Sequence, residues 1–291
     1  MVGVCRHVGV ALACAVSFNA MFVPMVNSPE FDPRDLKGND ATWLVFNERS
    51  ELLVIEGEIP TGPVAPVESD NVHLLGKDGD QLVLAARAQP DAEWSEQASW
   101  DNLRRLYGVV DEDEWAMAGR ALQILDWDRD HQFCGRCGVQ TDHHTNDRAR
   151  ECPRCKLLAY PRVTPAIIVL VERSDGQALL AWGRQFPGRF YSALAGFVEP
   201  GETFEQAVAR EVGEEVGVSV DNVNYFGSQP WPFPNSVMIG FNADYQGGDI
   251  VIDETEIVEA DWFKPSSLPP VPRGGMSIAG WLIEDWLKRR A

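Results

Sequence analysis

The sequence predicts an α/β protein with a small β-rich N-terminal domain, a cysteine-bearing connector and a mixed α/β C-terminal domain. Three observations predict it. A length of 291 residues, at roughly 150 per domain, fits two compact units and a small appendage. Short apolar runs broken by Gly, Pro and Asp fill residues 41–87, whereas a buried-strand pattern and then a strongly helical stretch follow residue 161. Between these regions, four cysteines stand in two C-x2-C pairs. Hydrophobic residues at 45% supply enough apolar surface for real cores, which excludes a disordered chain.

The first 30 residues stand apart. Between Arg6 and Glu30 there is no Asp, Glu, Lys or Arg, and Val8–Val16 is almost wholly apolar. A secretory signal, a membrane anchor and a spurious upstream start, with Met21 or Met25 beginning the protein, all fit this leader. A cytoplasmic location is expected, with the leader as the feature against it. The N-terminal domain, residues 31–128, is expected to form strands at Trp43–Phe46, Leu52–Ile55, Val72–Leu75 and Leu82–Ala85, then helix from Ser95 to Asp128. In the last domain, 161–291, Ala166–Val171 reads as a buried strand and Ala178–Trp182 as its hairpin partner. Helix follows Gly201, strands are expected at Met238–Tyr245 and Glu259–Phe263, and an amphipathic helix at about 278–287 ends the chain.

The connector, 129–160, contains Cys134-x2-Cys137 and Cys152-x2-Cys155, with 14 residues between the pairs. This spacing favours a structural four-thiolate zinc site over its alternative, two disulfides. A closed site of four thiolates leaves no open coordination position, so its role is architectural.

The strongest signal is the run GFVEPGETFEQAVAREVGEEVGV at 196–218. Thr203 and Gln206 have capping-box spacing, and Gly217 suits a left-handed helix stop. Val208, Val212 and Val216 form one apolar stripe. Glu211 and Glu215, spaced i,i+4, lie beside it, while Glu214 leans toward Arg210, its own i,i+4 partner. Adjacent carboxylates of this kind suit Mg²⁺ or Mn²⁺. The run resembles the box of the Nudix hydrolases, Gly-x5-Glu-x7-Arg-Glu-U-x-Glu-Glu-x-Gly-U with U aliphatic, and matches it at every fixed position. The resemblance implies a Nudix fold, a mixed sheet between helices. It also implies that Glu211, Glu214 and Glu215 bind metal with the carbonyl of Ala195, that Glu202 pairs with Arg210 to orient the helix, and that Glu215 acts as base.

A second segment, SQPWPFPNS at 228–236, places three prolines at alternate positions, which excludes a central strand. They hold Trp231 and Phe233 in a stiff extended loop, a pre-ordered surface for stacking on a heteroaromatic ring. The segment resembles the SQPWPFP-x-S signature of the NADH pyrophosphatase branch of the family. That likeness implies a nucleotide pocket lined by Tyr160, Gln229, Pro230, Trp231, Pro232, Phe233, Pro234, Asn235, Ser236 and Ala279, and a further metal ligand at Glu256. The branch also carries a zinc ribbon before the catalytic domain and forms homodimers. The expected reaction is hydrolysis of NADH or NAD⁺ to nicotinamide mononucleotide and AMP, extending to NAD caps on RNA. The alternatives are a Nudix hydrolase for ADP-ribose or diadenosine polyphosphates, and a non-catalytic dinucleotide sensor. The net charge of -19 disfavours broad contact with nucleic acid and confines any RNA contact to the cap.

Overall fold

The computed structural model describes residues 22–24, 36 and 38–291. The leader at 1–30 therefore lies outside the described residues, apart from a three-residue strand. Seven strands build the first sheet: β1 (Phe22–Pro24), β2 (Ala41–Phe46), β3 (Glu51–Ile55), β4 (Thr61–Gly62), β5 (Ser69–Asp78), β6 (Gln81–Ala88) and β7 (Ala98–Asn102). Their order is β1-β5-β6-β2-β3-β7, with β4 beside β2. The alternation of β2 sends Leu44 and Phe46 to one core and Trp43 and Val45 to the other, so this strand is buried on both faces.

The helical expectation from Ser95 is corrected at its start. Residues 98–102 form β7, paired antiparallel with β3. Asn102 then caps the short helix α1 (Leu103–Leu106) by accepting the Arg104 N–H, and Gly108, at φ +75°, turns the chain. A capping box at Asp111 and Glu114 opens the longer α2 (Glu112–Asp130), which covers the Leu44 face of the sheet.

The connector forms a small sheet of β8 (Asp142–His143), β9 (Arg150–Glu151) and β10 (Leu158–Ala159). It is fastened to α2 by Arg150, which donates to buried Asp128 at 2.7 and 2.9 Å, and by the Trp127 indole N–H, which reaches the Ala159 carbonyl at 3.1 Å.

The last domain has β11 (Thr164–Glu172), β12 (Ala178–Gly183), β13 (Leu194–Phe197), α3 (Phe204–Val216), β14 (Ser219–Trp231), β15 (Ser236–Gly247), β16 (Ile257–Phe263) and α4 (Ile278–Arg289). Strand order is β14-β15-β11-β12-β16, with β13 also on β11. The β11·β15 pair is parallel and the others antiparallel, so the sheet is mixed. Ile167, Val169 and Val171 of β11 pack under α3, while Ile168 and Leu170 pack under α4. A mixed sheet between helices results. At the far end of β11, buried Glu172 accepts from Arg289 at 2.5 Å and Arg290 at 2.8 Å, which fastens the tail of α4 to the sheet.

Candidate active site and metal centre

Local sequence rules fix α3. Thr203 Oγ1 accepts the Gln206 N–H and Gln206 returns the bond to the Thr203 N–H, while Gly217 takes φ +73°. The fully buried stripe of Val208, Val212 and Val216 sets the helix's rotation. Arg210 then gathers the carboxylates. Its Nε and Nη2 donate to the two oxygens of Glu202 at 2.8 and 2.9 Å, and Nη1 donates to Glu211 at 2.8 Å and Glu214 at 3.0 Å. Nη2 also holds the Phe197 carbonyl at 2.9 Å, so one guanidinium locks helix, loop and β13 together. Arg210, followed by the Glu199 N–H, keeps Glu202 below the usual carboxylate range.

Glu211 rests directly on Gly196, where an added Cβ would stand 2.0 Å from the Glu211 carboxyl carbon. This close approach, rather than a turn, is why the box needs glycine there. Burial pushes the Glu211 carboxyl up against the opposing pull of Arg210, and Glu214 and Glu256 push the same way. Glu215 is only 7% exposed, and its Oε2 has no hydrogen-bond partner among the described residues. Burial, then the charges of Glu211, Glu256 and Asp253, push it up to about 8. An unpartnered buried carboxylate oxygen among like charges is the arrangement a hard divalent cation would relieve, so these residues fit Mg²⁺ or Mn²⁺.

Glu256 ends a loop that sequence reasoning could not place. The Asp253 N–H donates to the Glu215 carbonyl at 2.9 Å, and the Asp253 carboxylate caps Thr255. Arg184, which no sequence pattern singled out, donates its N–H to the Glu256 carbonyl at 2.8 Å and its Nε to the Glu254 carbonyl at 2.5 Å. Ala195, on β13 opposite Ile168, precedes the glycine under Glu211.

The SQPWPFPNS segment differs from the stiff loop expected. Gln229–Trp231 end β14, which is an edge strand, and residues 232–235 form the hairpin turn into β15, with a cis Phe233–Pro234 bond. An edge position tolerates Pro230 because no outer neighbour needs its N–H. Several side chains serve the fold. Buried Gln229 accepts the Ile278 N–H at 2.8 Å and donates to the Met276 carbonyl at 3.0 Å, and Pro232, Ser236 and Ala279 are buried. Phe233 carries the Arg104 guanidinium 3.7 Å from its ring centre and tilts against Trp115, while Trp231 meets Phe233 edge-on at 5.2 Å. The two rings are therefore not the open stacking surface expected. Phe197, 55% exposed, was missed; it pairs with Ala166 at the end of β11 whose Thr164 faces Ser236 of the hairpin. Tyr160, also exposed, donates to Asp147 at 3.4 Å and lines a hollow of about 300 Å³ with Phe133, Leu158 and Arg162.

The four cysteines are free, with Sγ separations of 3.5 Å (Cys134–Cys155 and Cys137–Cys152) and 3.8 Å (Cys137–Cys155). Disulfide sulfurs would lie about 2.05 Å apart, so the disulfide alternative fails. Among the described residues, this quartet alone brings its ligand atoms within 4.8 Å of one another, as a tetrahedral zinc site requires.

A family model described as NUDIX domain matches residues 162–282, one described as NADH pyrophosphatase zinc ribbon domain matches 129–160, and one described as NADH pyrophosphatase-like rudimentary NUDIX domain matches 39–127. A protein of Deinococcus radiodurans named NAD-capped RNA hydrolase NudC is 46% identical over 237 residues, covering 80% of this chain and 83% of its own. The chain belongs to the Nudix family. A Pseudomonas entomophila protein of the same name is 47% identical over 218 residues, covering 75% of this Nudix chain and 78% of its own. Among solved structures, the NUDIX hydrolase from Nitrosomonas europaea aligns over 54% of this chain and 89% of its own, at 25% identity and a TM-score of 0.44. As a Nudix protein of the NADH pyrophosphatase type, the chain is a hydrolase of pyrophosphate bonds that works with Mg²⁺ or Mn²⁺ and carries a structural zinc ribbon. Among the described residues, no helix is long and apolar enough to cross a membrane.

Proposed function

We propose that this protein hydrolyses the pyrophosphate of NADH and NAD⁺ to nicotinamide mononucleotide and AMP, and removes NAD caps from the 5′ ends of RNA. The observation that carries the reading is one chain holding both the Arg210-organised carboxylate cluster and the proline hairpin, at 46% identity to a NAD-capped RNA hydrolase. Glu211, Glu214, Glu215 and Glu256, with the Ala195 carbonyl, would hold Mg²⁺ or Mn²⁺. When bound, the metal supplies neutralisation of the pyrophosphate charge and acidification of water.

The chain's own groups do the rest. Arg210 and Glu202 keep the helix and its carboxylates in place. Glu215 accepts the proton of the attacking water. The water oxygen bonds to one phosphorus as the bridging P–O bond breaks, and the two mononucleotides leave. The hairpin, Gln229 to Ser236, shapes the nucleotide side of the site, with Tyr160 and Ala279 at its margins. Gln229, Pro232, Ser236 and Ala279 have buried side chains, so their contacts with nucleotide run through the backbone. Phe197 offers the free ring that a base can stack on.

We assign a β-rich domain at 31–128, a zinc ribbon at 129–160, a catalytic domain at 161–291, and a homodimer. Four free thiols in one cluster support a reducing compartment, the cytoplasm. The test is chromatography of products after purified protein meets NADH, NAD⁺ and ADP-ribose with Mg²⁺ or Mn²⁺. Nicotinamide mononucleotide and AMP in equal amounts support the reading. Cleavage of ADP-ribose with NADH untouched refutes it.

A further inference from the structure

We propose that the N-terminal domain is a positioning platform for the proline hairpin, with Gly119 and Trp115 of α2 setting where the hairpin turn sits. Gly119 lies in the interior of a 19-residue helix, where only proline is a worse helix former. Its backbone is not among the positive-φ positions, so nothing conformational demands glycine. Space does. An added Cβ would lie 2.8 Å from Pro232 Cγ and 3.3 Å from Pro232 Cβ. Pro232 is buried, its ring is rigid, and prolines two residues away on each side stiffen the turn, so it cannot swing aside as a flexible side chain would.

One turn earlier on the same face, Trp115 tilts against Phe233 with ring centres 6.4 Å apart. The Trp115 indole N–H donates to the Leu103 carbonyl at 2.7 Å, which fixes the indole against α1. From that helix, Arg104 lies over Phe233 and reaches Trp231 at 5.3 Å. The hairpin turn therefore seats in a notch of the other domain, while Gln229 fastens its base to α4. The rudimentary domain thereby acquires a part in the reaction without touching the pyrophosphate: it holds the wall of the nucleotide pocket. This inference rests on the hairpin reading given above.

The test uses the full-length protein with Gly119→Ala, Trp115→Phe and Trp115→Ala. Kinetics are read on NADH and on dimethyl pyrophosphate with one methyl on each phosphate, which has no base. Hydrogen exchange is followed in peptides spanning 226–236, and thermal melting is measured throughout. Gly119→Ala improves the helix while crowding the hairpin, so the two readouts should diverge. Melting temperature is expected to fall by no more than a few degrees, since the helix gain offsets part of the crowding, while exchange at 231–236 quickens and KM for NADH rises roughly 5- to 50-fold, with the base-free substrate unaffected. Trp115→Phe should keep most of the NADH affinity that Trp115→Ala loses.

Wild-type exchange at 231–236 in Gly119→Ala overturns the platform, whatever the substrate proves to be. So does an equal loss on both substrates, which would mark general loosening. If exchange quickens but the wild type ignores NADH, the platform stands and the substrate reading falls.

Discussion

Glu215 combines burial, an unpartnered oxygen and three acidic neighbours, and its consequences reach both rate and stability. Glu215→Gln is expected to lower kcat on NADH by roughly 10²- to 10⁴-fold with folding intact; wild-type turnover by a folded mutant would remove Glu215 from the mechanism. The raised pKa of about 8 also makes stability depend on pH. A carboxyl that binds its proton more tightly when folded contributes most below its ordinary pKa of about 4.5, and that contribution is lost as pH climbs through 8. Without Mg²⁺ or Mn²⁺, melting temperature should therefore fall between pH 5 and pH 8, and Glu215→Gln should flatten the fall. An equally steep curve in the mutant would show that other groups set it. Phe197 gives a second test. Phe197→Ala should reduce kcat/KM for NADH by about 5- to 150-fold while sparing the base-free pyrophosphate. Helix periodicity set Glu211 and Glu215 side by side, and only the resemblance to the family box added Glu214 to them. Phe197 occupies a position the pattern leaves free, so only its exposure revealed it.

At the scale of elements, α3 was legible down to its caps because every feature it needs is local: a capping box, a valine stripe and a glycine stop. The hairpin was legible only in part. Alternating prolines correctly exclude a central strand, but nothing near residue 230 announces that the rings face α1 and α2, more than 100 residues earlier. Likewise, 98–102 read as helix because its pairing partner, β3, is remote in sequence. The ribbon is the simplest case, since knuckle spacing carries its own geometry. Metal analysis should find about one zinc per chain. The Arg136 N–H, the largest of several causes, pulls the Cys134 thiol down to about 6, toward the thiolate that zinc requires. Cys134→Ser should lower the melting temperature and detach the ribbon from α2, with the NADH-to-NAD⁺ preference unchanged. A stable, zinc-free mutant would deny the ribbon its architectural role.

The whole molecule is strongly acidic, yet it acts on a pyrophosphate, and these facts agree only if cations mediate the contact. No sequence pattern disclosed how the domains lean on one another. That information lies in single close approaches: Pro232 on Gly119, Arg150 on Asp128, Trp127 on Ala159. Each joins residues from 22 to 113 positions apart through atoms that leave no periodic trace.

The last turn of α4 has a practical bearing on stability. Glu172 is 7% exposed and receives both Arg289 and Arg290. Replacing both arginines, Arg289→Ala with Arg290→Ala, would leave that buried anion with no cation beside it. Fully buried pairs lose about 3–5 kcal/mol when one partner goes, and the partial exposure of these arginines lowers the figure to on the order of 2 kcal/mol. The doubly substituted protein should therefore melt a few degrees below the wild type. If the two proteins melt together, the clasp on Glu172 is dispensable.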